Sequence, residues 1–259
     1  MQSNINKYGK WALITGASSG IGAEFAMQLA ALNFNLVLVA RRKEKLENLS
    51  AELIAKNKIE TLVIPLDLSK PDFLESIKQQ TNHLDIGLLI NNAGFAITGS
   101  FLNDQLENQL SLLDVNCKAP LILSHYFGNR MLLKGSGGII NIASTAAFLP
   151  LPFWSNYAAS KSYLLSFSEG IWHELKNKGI DVLAVCPGPT QTEFAETAKV
   201  NLGGMTAQEV VRCSLKNIGK KSSVIVGFAN QISAFSLRFF SRNLMIQFGA
   251  IFTKKIAGN

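Results

Sequence analysis

The sequence predicts a single-domain α/β fold built on a doubly wound parallel sheet. Apolar runs of four to seven residues, nearly free of charge, alternate with longer stretches of helical periodicity. Strands covered on both faces read this way, and right-handed crossovers then wind helices over both sides of the sheet. The chain is 259 residues long, without internal repeats or a low-complexity linker, which suits one large domain.

The elements follow in order. Residues 11–15 are a first strand ended by Gly16. Ile21, Phe25, Leu29 and Leu32 recur at helical spacing and predict a helix over 21–32. Residues 34–40 form a second strand, apolar apart from Asn35, and 43–56 a charged helix with Leu46, Leu49 and Leu53 on one face. Residues 61–66 are a third strand. Pro71 suits the first turn of a helix, with Ser69 upstream as its cap and Phe73, Leu74 and Ile77 as its buried face. Strands are predicted at 86–90, 138–142 and 181–186, with long helices at 104–134 and 156–178. Thr206-Ala-Gln-Glu209 is a capping-box pattern opening a helix to about Asn217, and 224–226 is a last strand. From Ala229 the chain is apolar over a wide helical arc, with Arg238 and Arg242 one turn apart and Ser241 as cap of a second short helix. The chain therefore divides into a sheet domain, 1–228, and a C-terminal helical extension, 229–259.

Composition excludes several classes. Hydrophobic residues make up 47% and charged ones 17%, with mean hydropathy +0.18. A charged fraction below the usual ~25% leaves apolar surface to hide in a core, a subunit contact or a lipid-facing patch. Cys117, Cys186 and Cys213 are too few and too scattered for a disulfide framework. With no CxxC pair and only three histidines, no metal site is expected. The first residues lack the apolar segment of a secretion signal. The uncharged run 135–160 holds Gly137, Gly138, Asn141, Pro150, Pro152 and Asn156, and reads as a strand and loop rather than a membrane span. A cytoplasmic protein is expected. The net charge of +7 is uneven: the final fifty residues hold eight Lys and Arg and no acidic residue. Neither stacking platforms nor a recognition helix accompany them, so no nucleic-acid partner is expected. A basic, apolar tail suits peripheral contact with an acidic lipid surface. A subunit contact or a flap over a pocket is the slightly favoured rival.

Residues 15–22, Thr-Gly-Ala-Ser-Ser-Gly-Ile-Gly, follow the first strand and open the first helix. This is the Rossmann arrangement. Gly16 allows the tight turn, Gly20 a close approach to phosphate and Gly22 close packing of the helix, whose N-terminus offers Ser18, Ser19, Gly20 and Ile21 to a pyrophosphate. After the second strand comes Ala40-Arg41-Arg42, where an NAD-binding chain would place an acid. Guanidinium suits a 2′-phosphate, so NADP(H) is expected over NAD(H), with Arg41 as main ligand and Ser18 and Arg42 assisting.

Tyr157 and Lys161 stand one helical turn apart. An adjacent ammonium lowers a phenol's pKa from its ordinary ~10, fitting it to give or take a proton at a carbonyl. With these motifs in order, residues 9–228 resemble the short-chain dehydrogenase/reductase family, in its NADPH-preferring branch of long-chain 3-oxoacyl reductases, hydroxysteroid dehydrogenases and broad-specificity bacterial reductases. The resemblance implies a catalytic tetrad of Asn116, Ser144, Tyr157 and Lys161. Tyr157 would be the proton donor, Lys161 would bind the nicotinamide ribose, Ser144 would clamp the substrate oxygen, and Asn116 would hold a water relaying protons to Lys161. It further implies cofactor contacts from Asp67 (adenine), from Asn92, Ala93 and Gly94 (ribose), and from Pro187, Gly188, Thr190 and Thr192 (nicotinamide side). No tetrad position departs from the family pattern.

Loops at the carboxyl ends of the strands present Phe95, Ile97, Phe148, Leu149, Leu151, Phe153, Trp154 and Phe194, a rim suited to an apolar carbonyl substrate. Gly203-Gly204 is read as a lid hinge. The expected activity is NADPH-dependent reduction of a ketone to a secondary alcohol on an apolar or lipid-like molecule, in a homodimer or homotetramer. The alternatives are the oxidative direction and a non-catalytic NADP-binding protein on the same fold.

Overall fold

A computed structural model describes residues 5–194 and 204–257 of the chain. Seven parallel strands form one sheet in the order β3-β2-β1-β4-β5-β6-β7. They are β1 (Trp11–Thr15), β2 (Asn35–Ala40), β3 (Thr61–Pro65), β4 (Ile86–Asn91), β5 (Gly137–Ile142), β6 (Ile180–Cys186) and β7 (Ser223–Ile225). The connecting helices are α1 (Gly20–Ala31), α2 (Lys43–Asn57), α3 (Phe73–Thr81), α4 (Leu106–Leu113), α5 (Ala119–Lys134), α6 (Ser155–Leu175) and α7 (Ala207–Asn217), followed by α8 (Phe228–Ser236) and α9 (Arg242–Ala257).

The central strands are buried throughout, which is why they read as unbroken apolar runs. Alternate residues serve opposite faces. Ile14, Leu36, Leu38, Leu88, Ile90, Leu183 and Val185 pack with Phe25 and Leu29 of α1 and Val210 and Val211 of α7. Leu13, Val37, Val39, Leu89, Ile139 and Val182 pack with Phe73, Ile77, Leu123 and Phe127. The strand order reverses between β1 and β4, whose Leu13 and Leu89 are in register. That switch point opens a crevice at the carboxyl ends of the strands.

Three local expectations are corrected. Ser69 does not cap α3, which starts two residues after Pro71. Its N–H and hydroxyl instead donate to Asp67 Oδ1 at 3.0 and 2.9 Å, fixing that carboxylate beyond β3. The helix expected over 104–134 is interrupted by a π-helical turn, Asp114–Lys118, between α4 and α5. Arg238 and Arg242 do not share a helix, because the extended backbone of Phe240 separates a short turn, Leu237–Phe239, from α9. The capping box forms as expected: Thr206 and Glu209 bond each other's backbone N–H at 3.2 and 2.8 Å. Ser241 Oγ accepts the Leu244 N–H at 3.4 Å at the start of α9.

Candidate active site

The strand ends open onto one cavity of about 1070 Å³. It is lined by Gly16, Ser18, Ser19, Gly20 and Ile21, by Arg41 and Arg42 beyond β2, and by Asp67 beyond β3. Asn92, Ala93 and Gly94 line it beyond β4, Ser144 beyond β5, and Pro187, Gly188, Thr190 and Thr192 beyond β6, with Tyr157 and Lys161 on α6. Two residues expected in the site, Gly22 and Asn116, stand behind the wall.

The nucleotide end is fixed by ties between β1 and β4. Thr15 Oγ1 accepts the backbone N–H groups of Asn92 and Ala93, both at 3.0 Å, and Asn92 Nδ2 donates to the carbonyls of Thr15 and Gly16 at 3.0 and 3.2 Å. Gly16 has φ +67°, and a Cβ there would meet Asn92 Nδ2 at 2.7 Å. A Cβ on Gly22 would stand 2.2 Å from the Gly16 carbonyl oxygen, so α1 could not close on the turn. No side chain caps α1, since Ser19 Oγ accepts from Arg42 at 2.8 Å instead. An uncapped helix N-terminus facing a cavity fits a phosphate.

Cations surround that cradle. Arg42 also donates to Ser18 Oγ at 2.9 Å and to Glu193 at 2.7 Å, and Lys45 bonds the other Glu193 oxygen. Hydrogen bonds from Lys45 and then Arg42 push the Glu193 pKa down to about 2. Burial raises the Asp67 pKa, but hydrogen bonds from Ser69 and the charges of Arg41 and Lys70 outweigh it and hold the carboxyl below its ordinary value. The donor set therefore fits a dinucleotide with an extra phosphate. Sequence reasoning missed Lys45 and Glu193.

At the other end, Tyr157 and Lys161 are 6% and 5% exposed. Lys161 Nζ donates to the Ile142 carbonyl at 2.8 Å and lies 5.8 Å from the Tyr157 ring centroid. Burial pushes the Lys161 pKa down to about 8, with the Cys117 and Cys186 thiols opposing. The expected lowering of the Tyr157 pKa is not what this cavity produces. Burial pushes it up to about 12, with the Ser144 hydroxyl pulling the other way. The physical reason is an apolar collar: the rings of Trp154 and Phe194 each stand 5.8 Å from that of Tyr157.

Asn116, fully buried in the π-turn, accepts the Phe95 N–H at 3.1 Å and donates to the Phe95 carbonyl and Ser160 Oγ, both at 3.0 Å. Ser160 in turn donates to the Tyr157 carbonyl at 2.7 Å. A Cβ on Gly94 would stand 3.1 Å from Asn116 Oδ1 and 3.4 Å from Lys161 Nζ, so both atoms border the space beside Gly94.

Of the apolar rim, Phe95, Phe148, Leu149, Leu151, Trp154 and Phe194 line the cavity, whereas Ile97 and Phe153 do not. Ile97 packs into the cluster around Leu112 and Trp154. Phe153 has φ +65°, and its carbonyl accepts the Gly99 N–H at 2.9 Å, outside the cavity wall. The lid hinge at Gly203 lies outside the described residues. Gly204 packs against the Pro189 carbonyl, which a Cβ would meet at 2.2 Å. Further wall comes from α8, the link after it and α9, through Asn230, Ser233, Ala234, Leu237, Phe240, Phe248 and Phe252. The sequence's cue was small and aromatic residues interleaved in a segment apolar over a wide helical arc.

A family model described as short chain dehydrogenase matches residues 10–202. The chain belongs to the short-chain dehydrogenase/reductase family. It is thus an oxidoreductase, and this family works with nicotinamide cofactors. A very-long-chain 3-oxoacyl-CoA reductase of Pyricularia oryzae is 35% identical over 225 residues, 84% of this chain and 68% of its own. Among solved structures, a 7β-hydroxysteroid dehydrogenase superposes with TM-score 0.90 at 28% identity, over 96% of this chain and 99% of the other. A short-chain dehydrogenase from Sphingobium yanoikuyae in complex with NADPH superposes with TM-score 0.80 at 34% identity, over 88% and 92%.

Proposed function

We propose that this short-chain dehydrogenase/reductase uses NADPH to reduce an apolar, lipid-like ketone to a secondary alcohol. One observation carries the reading. Ser144, Tyr157 and Lys161 share a cavity with an uncapped helix N-terminus and the Arg41–Arg42 pair, and the rest of the wall is aromatic and aliphatic. When bound, the reduced nicotinamide supplies a hydride to the carbonyl carbon. Tyr157 Oη passes its proton to the carbonyl oxygen as charge develops there, and the Ser144 hydroxyl donates a hydrogen bond to the same oxygen. A phenol with pKa near 12 is fully protonated at neutral pH, the form that reduction consumes. Lys161 holds the ribose and, as an ammonium, stabilises the phenolate left behind. Asn116 is a positioning residue. Through Phe95 and Ser160 it holds the loop after β4 against α6, and a water beside Gly94 would connect its carboxamide with Lys161. Asp67 serves the adenine, and the 187–192 turn the nicotinamide side.

Arg41, aided by Arg42 and Ser18, supplies the preference for a 2′-phosphate. Relatives named as a very-long-chain 3-oxoacyl-CoA reductase and a 17-beta-hydroxysteroid dehydrogenase type 3 support the substrate class. Self-association belongs to the same reading, since Leu106, Leu110 and Leu113 form an exposed stripe on α4. The test is NADPH consumption over a panel of 3-oxoacyl thioesters, steroid ketones and small ketones. Tyr157→Phe is expected to lose turnover by about 100-fold or more, and full rate in that variant would end the proton-donor assignment. Arg41→Asp is expected to lower the NADPH-to-NADH ratio of kcat/KM by about tenfold or more, and an unchanged ratio would overturn the cofactor assignment.

A further inference from the structure

The helices that close the cavity have a second apolar side. On α8 and the turn after it, Phe228, Ile232, Phe235 and Phe239 recur at helical spacing. They point away from the cavity, with Phe228 and Phe239 each 76% exposed. On α9, Ile251 is 67% exposed and likewise outside the cavity wall. Phe235 and Phe239 stack edge to face at 5.5 Å, and the Arg238 guanidinium lies 5.9 Å from the Phe235 ring. Arg242 and Lys254 are exposed on the same segment, and no acidic residue follows Glu209. Among the described residues, no helix is long and apolar enough to cross a membrane.

We propose that the outer face of α8 and α9 is a docking surface for an anionic lipid bilayer, seating the substrate wall of the cavity on the lipid. Aromatic and aliphatic side chains enter the boundary between headgroups and acyl chains, while the basic residues stay at headgroup level. Charge decides between this occupant and a second copy of the chain. An isologous pair would bring the cations of each patch against those of its partner, with no carboxylate in the segment to offset them. A bilayer of acidic lipid supplies the missing anions. The substrate consequence rests on the reading above: Ala234 of α8 and Phe248 and Phe252 of α9 line the cavity, so an apolar ketone would move from lipid to cavity past the same helices.

The vesicle assay itself needs neither cofactor nor substrate. The intact chain is co-sedimented with vesicles of phosphatidylcholine alone and of phosphatidylcholine mixed with phosphatidylglycerol, at low and high salt. Binding is expected to be at least about tenfold stronger to the mixed vesicles and to weaken with salt. Phe235→Glu/Phe239→Glu is expected to abolish it, and Arg238→Gln/Arg242→Gln to remove the phosphatidylglycerol preference. Neither pair lines the cavity, so turnover of a small water-soluble ketone should be unchanged and reports that each variant is folded. The proposal is overturned if the wild type ignores mixed vesicles, or if the Glu variant still binds them. A dimer that ignores vesicles and dissociates in the Glu variant would reassign the surface to self-association. Full activity in Tyr157→Phe would remove the reaction reading and leave the vesicle result standing.

Discussion

Lys161 shows how the site's chemistry is set against its stability. The ammonium is buried against the Ile142 carbonyl, to which it donates, and burial lowers its pKa from 10.5 to about 8. Between those two values the unfolded chain binds more protons than the folded one, so stability rises with pH there. The penalty is present in full below about pH 8 and fades as pH climbs to 10.5. The gap corresponds to about 3 kcal/mol at most. Urea unfolding of the wild type and Lys161→Met across this range should show the wild type gaining on the variant by up to that amount. A difference flat with pH would show that the folded protein does not depress this lysine. Residues of this kind were legible in the sequence because they sit in contiguous motifs whose spacing carries the chemistry. Glu193 was not. It meets Arg42 across 151 positions, and nothing local to Glu193 marks a partner so distant.

At the scale of elements, strands and helices were readable because burial on both faces leaves the central strands almost free of charge, Asp181 of β6 excepted, and gives helices an apolar stripe. The break between α4 and α5 was not, since the 3.6-residue period continues through it. Its cause is local. Pro120, near the start of α5, has no N–H to give the Asn116 carbonyl four residues back, and its ring crowds that carbonyl. The helix widens into the Asp114–Lys118 π-turn, and Asn116 ends fully buried against Phe95 and Ser160. Pro120→Ala restores the missing donor, so the helix can tighten and carry Asn116 out of this position. The expected result is a fall in kcat of about tenfold, while the melting temperature holds or rises, because proline is the least favourable residue within a helix. Unchanged kcat with a higher melting temperature would separate the π-turn from the reaction.

Across the whole molecule, the cavity is assembled from distant parts of the chain: the nucleotide cradle from the first crossovers, the proton-transfer groups from β5 and α6, and the outer wall from the last two helices. The sequence revealed the first two and left the third as one of several roles for the C-terminal segment, because an apolar arc that wide does not announce which part of it faces inward. What seats that wall is Gly249 on α9. A Cβ there would stand 2.1 Å from the Pro150 carbonyl oxygen, a backbone atom that cannot swing aside. Gly249 lies within a helix with ordinary φ, so alanine there has no conformational penalty and acts through the clash alone. Gly249→Ala should therefore lift α9 from the loop after β5 and displace Phe248 and Phe252 from the cavity wall. KM for a bulky apolar ketone is expected to rise by about tenfold or more. KM for a small ketone and the dissociation constant for NADPH should stay within about twofold, since the nucleotide cradle touches neither residue. Parallel loss of NADPH affinity would mean that the C-terminal helices support the whole crevice rather than its substrate end.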